Sequence, residues 1–288
     1  MISSLTFYWC NTLKERSRIV DRGIINATRT TSKHSWFGRA IDNAATVLLA
    51  FEGGINYLFF YNLESENFLS GLKSLLLTNR ERVLVATGSE NRNIQSLRNY
   101  LDSVRHRLDV EQVDVFFIEY VSPADDMTQV QVLLDELYSW KDKGLVRYVG
   151  VTTHNRAIAL EMIERHQCDV LMHRYNMAHR QAEEDVLPAA QKAGIPVVAF
   201  TCTRWGTLLK GDHNWHGKLP TAVDCYRYAL NHPGVRLALT APKTRQQLEE
   251  NLAVLYAPQI EAQEIAKWQE YGNLIYGTGK DAFDTQWV

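Results

Sequence analysis

The chain has 288 residues, 45% of them hydrophobic, and 31 Lys plus Arg against 33 Asp plus Glu give a formal net charge of -2. That apolar fraction supports one large core and excludes a disordered or fibrous chain. The near-neutral balance, with no long run of like charge, removes the electrostatic footprint that nucleic-acid or anionic-membrane binding requires, so a small-molecule substrate is the expected partner.

No stretch reaches the roughly 18 uncharged apolar residues of a membrane span. The short apolar run Leu5 to Cys10 is broken soon after by Lys14, Glu15 and Arg16, so no signal peptide is read. Cys10, Cys168, Cys202 and Cys225 are far apart and form no Cys-x-x-Cys pair. That spacing argues against a disulfide framework or a zinc or iron-sulfur site and fits a reducing cytoplasm. No motif sets an oligomeric state.

In chain order, residues 1–23 read as a cap or hairpin, and Ile24 to Thr28 as a first strand ahead of a helix beginning near Trp36. Apolar runs then start at Gly54, Arg82, Val113, Val146, Asp169, Ile195 and Val235, each with the composition of a buried parallel strand. Helical spacing fills the intervals: Ala40 to Phe51, Ser65 to Leu77, Ile94 to Leu108, Met127 to Lys141, Arg156 to His166, Ala182 to Ala193, Thr221 to Leu230 and Gln246 to Leu255. Successive strand starts lie 23 to 40 residues apart, about one βα unit each, with no Pro, Gly or Ser-rich linker. The expectation is an α/β fold, a (β/α)8 TIM barrel in a single domain, with residues 257–288 as a C-terminal tail. Such a barrel carries its chemistry at the carboxyl ends of its strands.

Several strand ends resemble the aldo-keto reductases. KGLVRYVGVTTHN is similar to that family's Gly-x-Ile-Arg-x-Ile-Gly-Val-Ser-Asn, and EEDVLPAAQKAGIPVVAF resembles the segment before its cofactor-stacking aromatic. LTAPKTRQQLEENLAVL resembles the strand, loop and helix that hold an adenosine 2'-phosphate, with a loop about two residues shorter than the usual spacing to Asn251. The resemblance, from about Arg39 to about Leu255, implies a TIM barrel and NADP(H) as cofactor. It also implies an Asp, Tyr, Lys and His tetrad, and strand-by-strand matching sets Phe59, Glu64, Gly88 and Glu119 at those places. Hydride delivery to a carbonyl needs a positioned proton donor, so those replacements point to an atypical site.

Glu119 follows an apolar run and is expected at the barrel mouth, where desolvation raises a carboxyl and fits it for acid or base work. Some family members with Glu at this place reduce carbon-carbon double bonds. Tyr61, two residues after Phe59 and on the same side of the strand, is the candidate replacement donor. Phe59, His173, Arg174 and Asn176 are the expected substrate contacts, with Arg174 and Asn176 preferred over His173 because alternation separates them. For the cofactor, the resemblance sets Thr152, Thr153 and His154 where the family holds the carboxamide and Phe200 where it stacks the nicotinamide. The loop from Thr201 through Thr203 to Leu209 follows, to wrap the pyrophosphate. Lys243, Thr244, Arg245 and Asn251, at the start of a helix, suit a phosphate. The loop residues Asp212, His213 and His216 lack the register of a metal site, and no metal is expected. Three functions stay open: an atypical NADP(H)-dependent reductase, a cofactor-independent lyase, dehydratase or isomerase using Glu119, and a non-catalytic binding subunit of this fold.

Overall fold

The structure, a computed structural model, describes residues 23–28 and 41–277. Residues 1–22 of the expected cap, and the helix start near Trp36, lie outside the described residues.

Strands β1 Gly23–Thr28, β2 Tyr57–Phe60, β3 Leu84–Ser89, β4 Val113–Ile118, β5 Val146–Thr153, β6 Val170–Arg174, β7 Val197–Phe200 and β8 Val235–Thr240 pair in chain order. All pairings are parallel, and β1 meets β8 to close the barrel. Helices α1 Ala45–Glu52, α2 Glu66–Asn79, α3 Ile94–Leu108, α4 Met127–Asp142, α5 Arg156–Glu164, α6 Val186–Ala193, α7 Ala222–Asn231 and α8 Arg245–Leu252 alternate with the strands, and α9 Ala262–Tyr276 follows. The expected (β/α)8 barrel is the observed fold. Strands β2 to β8 read as largely apolar runs because both of their faces are covered, by helices outside and by the barrel interior within.

Side chains punctuate the helix starts. Asn93, Asp126, Asn155, Asp185, Thr221 and Thr244 each accept a hydrogen bond from a first-turn backbone N–H. Every such cap satisfies a donor that the helix itself cannot.

The barrel interior is aromatic. Tyr57, Phe59, Val115, Phe117, Tyr120, Met172 and Phe200 form an inner cluster separate from the larger core between strands and helices. Two glycines make room for one of these rings, for Gly88 on β3 and Gly150 on β5 are the register neighbours of Phe117 on β4. A Cβ at Gly88 would stand 2.7 Å from the Phe117 Cβ and 2.6 Å from Glu119 Oε1, and one at Gly150 would run into the Phe117 ring. Close packing of this kind leaves the layer no alternative residue at either position.

At the amino end of the barrel, two carboxylates, Asp114 buried and Asp169 half-buried, tie strand starts together. Asp114 accepts from the Val85 N–H at 2.8 Å and pairs with Arg80 at 2.9 Å and Arg147 at 3.0 Å. Asp169 accepts from the Val149 N–H at 2.8 Å and pairs with Lys141 at 2.7 Å. At the opposite end, the segment read as a tail carries α9, which packs on the loops after β6 and β7. The Tyr271 hydroxyl donates to Leu208 O at 2.6 Å, Arg180 donates to Asn273 Oδ1 at 2.6 Å, and Arg204 donates to Ile275 O. Gly272 sits against the Met177 backbone, where a side chain would not fit.

Candidate active site

A cavity of about 260 Å3 opens at the carboxyl ends of the strands. Its wall includes Tyr61, Tyr120, Phe200, Thr201, Trp205 and Asn251. These side chains leave the barrel after β2, β4, β7 and along α8, so the fold gathers residues far apart in sequence.

One wall carries the rings of Tyr61, Tyr120 and Phe200, against which His154, not itself a lining residue, packs. Tyr61 and Tyr120 are nearly parallel, centroids 6.0 Å apart at 15°, and the Tyr120 hydroxyl donates to the Tyr61 hydroxyl at 3.2 Å. His154 lies nearly parallel to Tyr120 at 5.8 Å, and Phe200 meets His154 edge-on at 4.8 Å. Phe59 packs edge-on beneath Tyr61 at 4.6 Å and against Phe117 at 5.8 Å, fully buried. Phe59 is therefore the floor under Tyr61 and not itself a wall of the cavity, which corrects its expected role as a substrate contact.

Tyr120 sits at φ 53°, in the left-handed region that a bulky side chain enters only when its surroundings impose it. Two threonines of β5 supply that constraint. The Tyr120 N–H donates to Thr152 Oγ1 at 2.6 Å, and Thr153 Oγ1 donates to Val121 O at 2.6 Å. Both hydroxyls are buried and hold the exit of β4. The expectation that they meet a carboxamide is corrected accordingly.

Glu119 is 1% exposed and does not line the cavity; its carboxyl lies against Gly88. Arg92, in the loop before α3, donates to Glu119 O at 2.8 Å and grips Asp125 at 2.7 and 3.2 Å. Burial pushes the Asp125 carboxyl upward, but Arg92 and the Ser122 N–H outweigh it and hold the group below its usual range. The loop after β4 is thus braced from both sides. The expected position of Glu119 at the open mouth is a further correction: Tyr120 reaches the cavity in its place. Glu64 is exposed ahead of α2 and lies outside the cavity.

On β6, Val170 and Met172 point into the barrel, and alternation puts Arg174 on that side and His173 on the other. His173 is buried between barrel and helices, and desolvation lowers its pKa to about 4. It does not reach the mouth as a substrate contact. Asn176 donates to Thr201 O at 2.9 Å and accepts from the Ala178 and His179 N–H groups at 2.9 Å each. Its amide is committed to backbone, so Asn176 positions Thr201 rather than a ligand, another correction.

Around β7 and β8 the expected cofactor residues converge. Phe200, Thr201, Thr203 and Asn251 all line the cavity. Thr201 takes φ 57°, and Arg204, Trp205 and Gly206 also have positive φ, which curls the chain into a tight turn where a loop was expected. The buried Thr201 Oγ1 has no hydrogen-bond partner among the described residues. Asn251 donates to Thr240 Oγ1 at 2.8 Å, which also accepts from Tyr226 at 2.8 Å. Thr244 caps α8, while Lys243 and Arg245 remain exposed at its start, Arg245 pairing with Glu249 at 2.7 Å. No group of three or more potential metal ligands occurs among the described residues, the loop of Asp212, His213 and His216 included. No helix there is long and apolar enough to cross a membrane.

Sequence reasoning missed Tyr120 and Arg92. Tyr120 carried a usable signal, an aromatic one residue beyond a strand-end carboxyl, but the left-handed turn that aims it inward has no glycine to announce it.

Comparison with known proteins agrees with this architecture. The chain is 25% identical over 179 residues to "Probable aldo-keto reductase 1" of Glycine max, covering 56% of this chain and 49% of that protein. It is 23% identical over 186 residues to the "NADH-specific methylglyoxal reductase" of Escherichia coli, covering 57% of each. The chain thus spans about half the length of the curated relatives it matches. Among solved structures, an aldo-keto reductase from Klebsiella pneumoniae in complex with NADPH superposes with TM-score 0.70 at 15% identity, covering 88% of this chain and 96% of that one. The holo form of an aldo-keto reductase from Bacillus halodurans gives TM-score 0.66 at 20% identity, covering 79% and 86%. The sequence profile of the Aldo/keto reductase family matches residues 34–218, more than half of the chain, and the chain belongs to that family.

Proposed function

We propose that this protein is a nicotinamide-dependent reductase of a small carbonyl or activated alkene, working without the Asp, Tyr, Lys and His set of its family. The observation that carries the reading is Thr201 Oγ1, a buried hydroxyl without a protein partner, lining the cavity beside Phe200. An unsatisfied buried hydroxyl is unfavourable by about 1–3 kcal/mol unless a ligand completes it. Phe200 and Thr201 would hold the nicotinamide, the turn through Thr203 and Trp205 the diphosphate. The start of α8, with Thr244 and exposed Lys243 and Arg245, would hold a 2'-phosphate, which favours NADP(H). When bound, the reduced nicotinamide supplies two electrons and one hydrogen to the substrate.

The atypical proton chemistry rests on packing. Gly88 stands where the resemblance sets the family's Lys, and Phe117 and Glu119 crowd the space a side chain would need there. Phe59 is sealed in the floor, and Glu64 lies outside the cavity. A cofactor-independent lyase or isomerase centred on Glu119 is less favoured, because that carboxyl does not line the cavity.

Hydride transfer tests the reading. With NADPH carrying deuterium at C4 and a panel of aldehydes, diketones and enones, mass spectrometry should find deuterium on product carbon. Unlabelled products, or no products, across the panel would overturn it.

A further inference from the structure

We propose that the protein carries a second ligand site, a groove between α9 and the loop leading into α7, and that this groove takes a pyranose sugar. The site is independent of the nicotinamide reading, for none of its lining residues belongs to the wall of the carboxyl-end cavity.

The groove has a volume of about 580 Å3. The loop, whose sequence GDHNWHG lacks the register of a metal site, contributes Asn214, Trp215, His216 and Gly217 to its wall, and α9 contributes Glu270 and Asn273. The loop is organised by Asp212. Its Oδ1 accepts from the Asn214 backbone N–H at 2.8 Å and from the Asn214 amide at 3.1 Å, and its carbonyl accepts from the Trp215 backbone N–H at 3.0 Å. The Trp215 indole N–H donates to Lys218 O at 3.3 Å, and the ring meets the buried Tyr271 of α9 edge-on at 5.1 Å. Gly217 permits this packing, since a Cβ there would stand 3.0 Å from two carbons of the indole. A wall fixed in advance in this way lowers the ordering that binding costs.

The polar groups left over select the ligand. Asn273 Oδ1 is taken by Arg180 at 2.6 Å, so the Asn273 amide keeps its hydrogens as donors. Asn214 has given an amide hydrogen to Asp212, and its Oδ1 stays an acceptor. Glu270 is exposed and makes no hydrogen bond or ion pair among the described residues, so both carboxylate oxygens accept. A neutral His216 imidazole offers one donor and one acceptor. An inorganic anion would use only the donors and would face the Glu270 charge. An organic cation would use only the acceptors and leave Asn273 idle. Hydroxyl groups both donate and accept, and a ring that carries several of them also has an apolar C–H face to lay on the Trp215 indole. A pyranose therefore uses the whole wall.

Binding of simple sugars tests the site. The full-length protein is mixed with the methyl pyranosides of glucose, galactose, mannose and N-acetylglucosamine, and saturation-transfer NMR follows each titration. At least one is expected to bind with Kd of about 1 mM or lower. That affinity should fall about tenfold or more in Trp215→Ala and in Glu270→Ala. No saturation by any of the four up to about 100 mM would overturn the proposal, as would equal affinities in wild type and folded variants. Tetramethylammonium binding more tightly than every sugar would overturn the assignment of the ligand class. Should Trp215→Ala not fold, because its ring packs on Tyr271, the exposed Glu270→Ala decides by the same criteria. The titrations contain no nicotinamide, so failure of the reductase reading and failure of this site are read separately.

Discussion

At the amino end of the barrel, Asp114 and Asp169 each take a backbone N–H and a cation, and the strand starts are locked by bonds of 2.7 to 3.0 Å. At the carboxyl end, Tyr120, Thr201, Arg204 and Trp205 occupy left-handed backbone and the Thr201 hydroxyl lacks a protein partner. The amino end is held by charge-paired carboxylates; at the carboxyl end left-handed residues bend the loops around a cavity that Thr201 lines. The contrast assigns stability to the first and chemistry to the second, the division expected of a barrel whose loops after the strands carry function.

Substitutions at the two ends should therefore separate stability from activity. The largest loss of stability is expected at Asp114, where Asp114→Ala strands the Val85 N–H and two guanidinium partners. About 3–4 kcal/mol should disappear in urea unfolding, with little change in cofactor affinity in the fraction that remains folded. An Asp114→Ala protein as stable as wild type would break the comparison.

Acidification should act next, through His173. Burial lowers its pKa from 6.5 to about 4, so the unfolded chain takes up that proton first as pH falls. The stability present above pH 6.5 is lost progressively toward pH 4, amounting to about 3 kcal/mol. Urea midpoints measured from pH 7 to pH 4 should fall more steeply in wild type than in His173→Gln; parallel curves would remove His173 from the account.

Gly150→Ala drives a methyl into the Phe117 ring and should lower stability by about 2 kcal/mol, read as a drop in Tm. At the mouth the sign reverses. Thr201→Gly relaxes a left-handed β-branched residue and should stabilise the cofactor-free protein by about 1 kcal/mol. It should also weaken NADPH binding about tenfold, the usual worth of one hydrogen bond to a ligand. A destabilised Thr201→Gly, or one that binds NADPH as wild type does, would blur the distinction between the two ends.

The barrel was legible in the sequence because parallel strands, buried on both sides, announce themselves as runs such as VDVFFIEYV and IPVVAF, and because Asn93, Asp126 and Thr221 mark helix starts. Helix α9 was not. Its buried residues Trp268, Tyr271 and Gly272 give only a narrow apolar stripe, and the surface it covers, the loops after β6 and β7, is created by the fold. The site was partly legible. Phe200, Thr201 and Tyr61 do line the cavity, since strand ends locate them. The fates of His173, Asn176, Thr152 and Thr153 were not readable, because each is decided by which backbone group stands opposite it. Tyr120, and not the expected Glu119, reaches the cavity through a single left-handed residue, a feature that periodicity does not encode.

The central claim, that the strained carboxyl end is a nicotinamide site, is tested most directly by equilibrium titration. Wild-type protein is titrated with NADPH and NADH, followed by quenching of tryptophan fluorescence, to which Trp205 in the cavity wall contributes, and by calorimetry. Micromolar NADPH binding, weakened in Lys243→Ala with Arg245→Ala, is the predicted result. No binding of either nucleotide up to millimolar concentration would contradict the account.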